Sequence, residues 1–382
     1  MAINYTQLKN IPGFSWLGIN IGIKDDSLDF GIISSECKCS CAGVFTRNNL
    51  PGAPVIVCKK KIKNGQIQAI VVNSKCANVA TGKAGIDDAE KMCSWTGDAL
   101  GIDKDLVLPF STGVIGKRLP MDKISLGCKK IPDKLGPSPK FIENFSQAIL
   151  TTDSHPKWCY DSLGNTSLLG IAKGSGMIEP NMATMLSFFV TDAKISSKQL
   201  QSMLKRVVNK SFNRISIDSD TSTSDTVIIL ANGLAGPVNT ELFEETFTKN
   251  AIKLAKKIAR DGEGATKLIE LTVSGAKSQL MALKISKSII NSPLIKTAIH
   301  GADPNWGRFI MAIGKVFDYP VSLEDLSIYF GKGDKVQKIT AKNINSNTVN
   351  LDAISKLLEP HEVFIEVVVG NGSCSETVWG CD

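Results

Sequence analysis

One hydroxyl in this chain stands where it could act as a nucleophile. In KGSGMIEPNMATMLSFFVTDA (Lys173 to Ala193), Thr184 follows Ala183 and precedes the apolar run MLSFFV, so a polar, proline-bearing loop gives way to a strand here. A β-branched residue at a strand start is the ordinary reading. The chemical reading asks what could activate the hydroxyl. The three histidines, His155, His300 and His361, all lie far from Thr184 in sequence. A threonine can instead use its own N-terminal amine as base. With a pKa near ~7.7–8.0, that amine is partly neutral around pH 7. An internal Thr184 has an amide there, which is not basic. The chemistry therefore requires the chain to break between Ala183 and Thr184. Attack of Oγ on the Ala183 carbonyl, followed by hydrolysis of the ester by water, would do this. The small Ala183 and the flexible GSG upstream leave room for a strained bond.

Other chemistry finds less support. ECKCSCAG places Cys37, Cys39 and Cys41 on one face of a strand, but no second CxxC pair accompanies them. Zinc sites normally bring two separated ligand pairs, so reduced, partly buried cysteines and no metal are expected. No GxGxxG opens a helix after a strand and no GxxxxGK[ST] occurs, which argues against phosphate cradles. The net charge of +7 comes from 44 basic against 37 acidic residues, and clusters such as CKKKIKNG lack interleaved aromatics. They read as solvated loops rather than a nucleic-acid surface. The N-terminal MAINYTQLKNIPGFSW resembles neither a signal nor a transit peptide, and no apolar run approaches the ~18 residues that span a bilayer. A cytoplasmic protein is expected.

A chain of 382 residues is long enough for two domains or one large α/β unit. Strands are expected at DFGIIS, AGVFT, APVIVC and QAIVVNS, then a helix over GIDDAEKMCSWTGDAL. After VLPFSTGVIG comes a loop-rich stretch and a short helix around KFIENFSQAIL. Beyond Thr184 the pattern gives strand MLSFFV, helix SSKQLQSMLKRVVNKSF, strand DTVIILA and a long amphipathic helix, TELFEETFTKNAIKLAKKIARDG. Strand LIELTVSG, helix AKSQLMALKISKSII and strands FIEVVVG and ETVWG follow. Strands come in blocks with helices between them. That order favours a layered α/β sandwich over a doubly wound dinucleotide fold.

The segment around Thr184 resembles the self-cleavage segment of the ornithine acetyltransferase family, the bifunctional glutamate N-acetyltransferases of arginine biosynthesis. AGVFTRNNLPGAPV, STGVIGKRLP, ILTTDSHPK, DSDTSTSDTV, RDGEGATKLIE and HGADPNWGRF resemble further family blocks, in the family's order, from about residue 15 onward. The resemblance implies an αββα-type sandwich formed jointly by an α chain (1–183) and a β chain (184–382), assembled as an α2β2 heterotetramer. It implies Thr184 as nucleophile, cleavage between Ala183 and Thr184, and an oxyanion hole at Thr112 and Gly113. It implies substrate contacts from Thr151 (or its neighbour Thr152), Lys173, Thr184 and Glu263. The reaction implied moves acetyl from N-acetylornithine to glutamate through an acetyl-threonine. No cofactor is implied, although acetyl-CoA can be a co-substrate in some members.

The chain also departs from the family. Its NSGNAN block reads NSKCANVATG, with Lys75 and Cys76 in place of a small pair. The sequence stops at TVWGCD, where the family continues into a segment that supplies an Asn and a Ser or Thr to the substrate. A pocket open on one side, able to self-process but weak in transfer, is the corresponding expectation. In HGADPNWGRF, Asp303, Asn305, Arg308 and His300 suggest a polar site. The same stretch also reads as a helix start, with Asp303 capping, Pro304 in the first turn and Trp306 packing inward. Two rivals remain: a self-processing amidase or aminopeptidase with water as acceptor, and a non-catalytic basic scaffold or inactive homologue.

Overall fold

The computed structural model describes residues 7–179 and 185–382. The chain forms two compact units, Met1–Asn213 with Asp220–Ile258, and Arg214–Ser219 with Ala259–Asp382. The strands of the first part are β1 (Phe14–Ile19), β2 (Phe30–Phe45), β3 (Gln66–Asn73), β4 (Val107–Ser111), β5 (Lys157–Leu163), β6 (Thr166–Lys173) and β7 (Leu186–Lys194). β8 (Ile215–Ser216) belongs to the second unit, and β9 (Thr226–Pro237) returns to the first. The helices here are α1 (Ala53–Lys61), α2 (Gly82–Leu100), α3 (Met121–Lys129), α4 (Ile131–Lys134), α5 (Pro139–Ala148), α6 (Ser197–Lys210) and α7 (Thr240–Arg260).

The strands of the first unit run in the order β4-β3-β2-β9-β7-β6-β5, with β1 also on β2. β2 is shared between two layers. Its first half pairs with β1 and β3, its second half with β9, and its register against β3 shifts between Ser34 and Cys39. Such a bulge bends a strand and lets it pass from one sheet into another. The ribbon therefore folds back on itself. Phe110 of β4 meets Phe188 of β7 edge-on, with ring centroids 5.1 Å apart. Strand alternation supplies the rest. Ile70, Val72, Phe188 and Val190 fill the space between the sheets. Ala69 and Val71 instead face Ala89, Met92 and Cys93 of α2. On the far side, Phe189 packs on Phe212 and on Phe247 of α7. The result is a layered αββα sandwich.

The second unit holds β10 (Leu268–Ala276), β11 (Ser327–Lys332), β12 (Lys335–Thr340), β13 (Glu362–Val368) and β14 (Cys374–Cys381). With β8 they form one sheet, ordered β12-β11-β13-β10-β14-β8. Its helices are α8 (Gln279–Ile290), α9 (Pro293–His300), α10 (Gly307–Gly314), α11 (Ala341–Asn345) and α12 (Leu351–Leu358). Buried Lys267 donates to the carbonyls of Ile299, His300 and Leu358, so one ammonium closes the ends of α9 and α12.

Several sequence expectations need correction. APVIVC is not a strand but α1, because Pro54 sits in its first turn and three lysines occupy its last. DFGIIS and AGVFT are two halves of one 16-residue strand. α10 begins at Gly307 with Trp306 at its N-cap, so Asp303 does not cap it, although Trp306 does pack on the core. All ten cysteines are free, and no metal-binding cluster occurs among the described residues. No helix among the described residues is long and apolar enough to cross a membrane.

Candidate active site

The register of the strands gathers several loop ends at one edge of the sandwich. Lys173 pairs with Leu186, and Leu186 with Thr226, while Thr226 N–H donates to the Met185 carbonyl at 2.8 Å. Beside them, β4 ends at Ser111 and turns through Thr112 and Gly113. A small cavity of about 30 Å³ results, lined by Thr112, Lys173, Gly174, Met185, Ser224 and Asp225, among others. A broader depression of about 670 Å³ along α7 has no such convergence from different strands. Size does not locate chemistry; convergent polar groups do.

The turn at Thr112–Gly113 is built tightly. Thr112 N–H donates to Asn73 O at 3.1 Å and Val114 N–H to Lys75 O at 3.1 Å. Gly113 has φ +127°, and a Cβ placed on it would lie 2.3 Å from the Lys75 carbonyl carbon. Only glycine fits there. Lys75 itself is left-handed, with φ 73°. Its side chain runs out to Asp25 at 3.5 Å, whereas Cys76 turns inward and its thiol meets the carbonyls of Lys117 and Arg118. The Lys75 backbone thus closes the turn, while the Cys76 thiol holds the chain at residues 117 and 118.

Thr151 and Lys173 meet directly, with Lys173 Nζ donating to Thr151 Oγ1 at 3.0 Å. This selects Thr151 over Thr152 as the residue facing Lys173. Beneath them lies Asp153. Its Oδ1 accepts from Lys157 Nζ at 2.7 Å and from Gly174 N–H at 2.6 Å, and its Oδ2 accepts from Thr151 N–H at 3.1 Å. Both side chains of the Asp153–Lys157 pair are fully buried. Burial alone would raise the Asp153 pKa, but Lys173 and Lys157 with the Gly174 N–H hold it well below the usual carboxylate range. Close by, burial with Lys173 and Lys75 pushes the Lys24 ammonium down, against the pull of Asp29 and Asp153.

A depressed folded pKa means that Asp153 contributes stability in full above its unfolded value near ~3.9 and loses it as pH falls below that. The melting temperature of the wild type should therefore fall more steeply between about pH 5 and pH 2 than that of D153N/K157M. Equal slopes would remove Asp153 from the acid response.

Of the residues expected from sequence, Thr112, Gly113, Thr151 and Lys173 belong to this edge of the first unit. Glu263 lies on an exposed turn of the second unit, just after α7. Ala183 and Thr184 lie outside the described residues, while Met185, directly after Thr184, lines the cavity. Sequence reasoning gave no role to Asp153 or to Ser224 and Asp225. The only mark of the latter pair is the dense polar run DSDTSTSD ahead of a buried strand.

The model of the ArgJ family matches residues 15–382. The chain is 48% identical to the arginine biosynthesis bifunctional protein ArgJ 2 of Clostridium acetobutylicum, over 100% of this chain and 96% of the relative. It is 41% identical to the glutamate N-acetyltransferase Oat2 of Streptomyces clavuligerus, over 95% and 92%. A solved ornithine acetyltransferase from Mycobacterium tuberculosis, complexed with ornithine, aligns with 46% of this chain and 96% of its own at 31% identity, with a TM-score of 0.42.

Proposed function

The chain belongs to the ArgJ family, and we propose that it moves the acetyl group of N-acetyl-L-ornithine to L-glutamate through an acetyl ester on Thr184. One observation carries the reading. Thr112, Lys173 and Met185, the residue that follows Thr184, line one cavity although they come from three different chain segments.

Self-cleavage between Ala183 and Thr184 frees the amine that serves as base. Thr184 Oγ attacks the acetyl carbonyl and its proton passes to that amine. The Thr112–Gly113 turn stabilises the tetrahedral oxyanion. Collapse breaks the amide C–N bond, and ornithine leaves with the proton. The amine of glutamate then attacks the ester and leaves as N-acetylglutamate, restoring the hydroxyl. Lys173 meets the substrate carboxylate and Thr151 supports it. Acetyl-CoA serves as an alternative acetyl donor, and no bound metal or organic cofactor takes part. The α (1–183) and β (184–382) chains assemble as α2β2 in the cytoplasm.

Incubating the protein with N-acetylornithine labelled in its acetyl group tests this. Label should pass to glutamate, and ornithine release should depend on added glutamate. Release of free acetate at the same rate without glutamate would mean that water is the acceptor, and the protein an amidase.

A further inference from the structure

The sequence carries no mark that separates Asp153 from an ordinary loop carboxylate, yet the fold makes it a junction. Lys157 opens β5 and pairs in register with Ala172 of β6. That register brings the loop before β5, residues 151–156, to the same sheet end as the turn after β6, which starts at Gly174. Asp153 bridges the two: one oxygen takes the Gly174 N–H, the other the Thr151 N–H, and Lys157 lies behind. The far side of the same loop is held by Lys24, whose ammonium donates to the carbonyls of Leu150 at 2.6 Å and Leu28 at 3.0 Å. Thr151 is thus fixed from both sides, and Lys173, one residue before Gly174, is fixed through its successor and through Thr151 Oγ1.

A buried ion pair is weak evidence for stability, since apolar residues of similar volume often do as well. Its value here lies in where it is. The groups it fixes, Thr151 and Lys173, are those that meet substrate in the function proposed above. Lys24, Lys157 and Lys173 surround a single Asp153, with Asp29 and Lys75 further out. Removing Asp153 would take away the carboxylate that bridges the two loops.

We propose that Asp153, backed by Lys157, is a positioning residue for acyl transfer: its carboxylate ties the Thr151 loop to the Gly174 turn and sets where the Lys173 ammonium stands. The inference rests on Lys173 binding the substrate carboxylate. Asp153→Asn alone takes the counter-charge from buried Lys157, so D153N/K157M, which removes both charges, carries the test. Two acyl donors are compared: N-acetylornithine, which has a carboxylate, and p-nitrophenyl acetate, which has none and needs only the nucleophile and oxyanion hole.

For D153N/K157M the KM for N-acetylornithine should rise about tenfold or more, the loss of one charge-assisted hydrogen bond. The kcat/KM for p-nitrophenyl acetate should stay within about threefold of wild type. Parallel loss with both donors, or failure of the variant to process its chain, would assign Asp153 a general structural role and overturn the proposal. An unchanged KM would overturn it as well. A wild type that takes p-nitrophenyl acetate but not N-acetylornithine would instead sink the substrate assignment, so the two failures are separable.

Discussion

Thr184→Ala should run on a denaturing gel as one chain of 41.1 kDa, where the wild type gives two bands that end and begin at Ala183–Thr184. Alanine lacks the attacking oxygen, so neither the ester nor the cut can form. Acetyl transfer should fall by about 10⁴-fold or more, the scale seen when an activated nucleophile is removed. Under native conditions, however, wild type and variant should elute alike. The expected cut lies between β6 and β7, inside one compact unit. β7 of the second fragment pairs with β6 of the first through six residue pairs, from Leu168–Thr191 to Lys173–Leu186. β9 of the second fragment pairs with β2 of the first through another six, from Ser40–Ala231 to Phe45–Thr226. Strands from both fragments thus interleave as β2-β9-β7-β6. Separating them would expose Phe188, Val190, Ile228 and Leu230, all buried between the sheets, and break both ladders. Cleavage of Thr184→Ala at the same bond would refute self-processing. Separation of the wild-type fragments without denaturant would refute the shared sandwich.

The sequence showed most plainly what its local chemistry decides. The helix expected over SSKQLQSMLKRVVNKSF is α6, which the structure opens with a Ser196–Gln199 capping box. β7 and β9 were visible as apolar runs because both of their faces are buried. APVIVC was misread because its β-branched residues favour a strand, while Pro54 and the packing of Val57 and Cys58 between core clusters hold it helical. Residues 157–173 receive no element from the sequence reading, whereas the structure folds them as the β5–β6 hairpin turning at Gly164. In the site, Thr151 and Lys173 are expected from resemblance as substrate contacts, and the structure adds a hydrogen bond between them. Asp153 stayed hidden because nothing in TTDSHPK reveals burial. What makes that carboxylate matter is the Gly174 N–H, contributed by a different loop twenty-one residues on.

Gly113→Ala should slow transfer severely while leaving the nucleophile in place. The new methyl would lie 2.3 Å from the Lys75 carbonyl carbon and 2.6 Å from its oxygen, both backbone atoms. The φ of +127° is one that an L side chain rarely adopts. Relief requires the 112–114 turn to move away from Lys75, breaking the Val114–Lys75 hydrogen bond that closes it. Any such shift carries the proposed oxyanion donors with it, and a misplacement of about 1 Å can cost about 10²-fold in rate. Acetyl transfer should therefore fall by at least that factor. Thr112→Ala, which removes the hydroxyl and the γ-methyl but leaves the backbone turn without added strain, should cost about 10²–10³-fold if that hydroxyl is itself a donor to the oxyanion. The melting temperature separates the two mechanisms: it should drop in Gly113→Ala, where strain enters the backbone, and stay near wild type in Thr112→Ala. A Gly113→Ala protein that transfers acetyl at the wild-type rate would show that the turn can open without consequence, and would remove it from the oxyanion site.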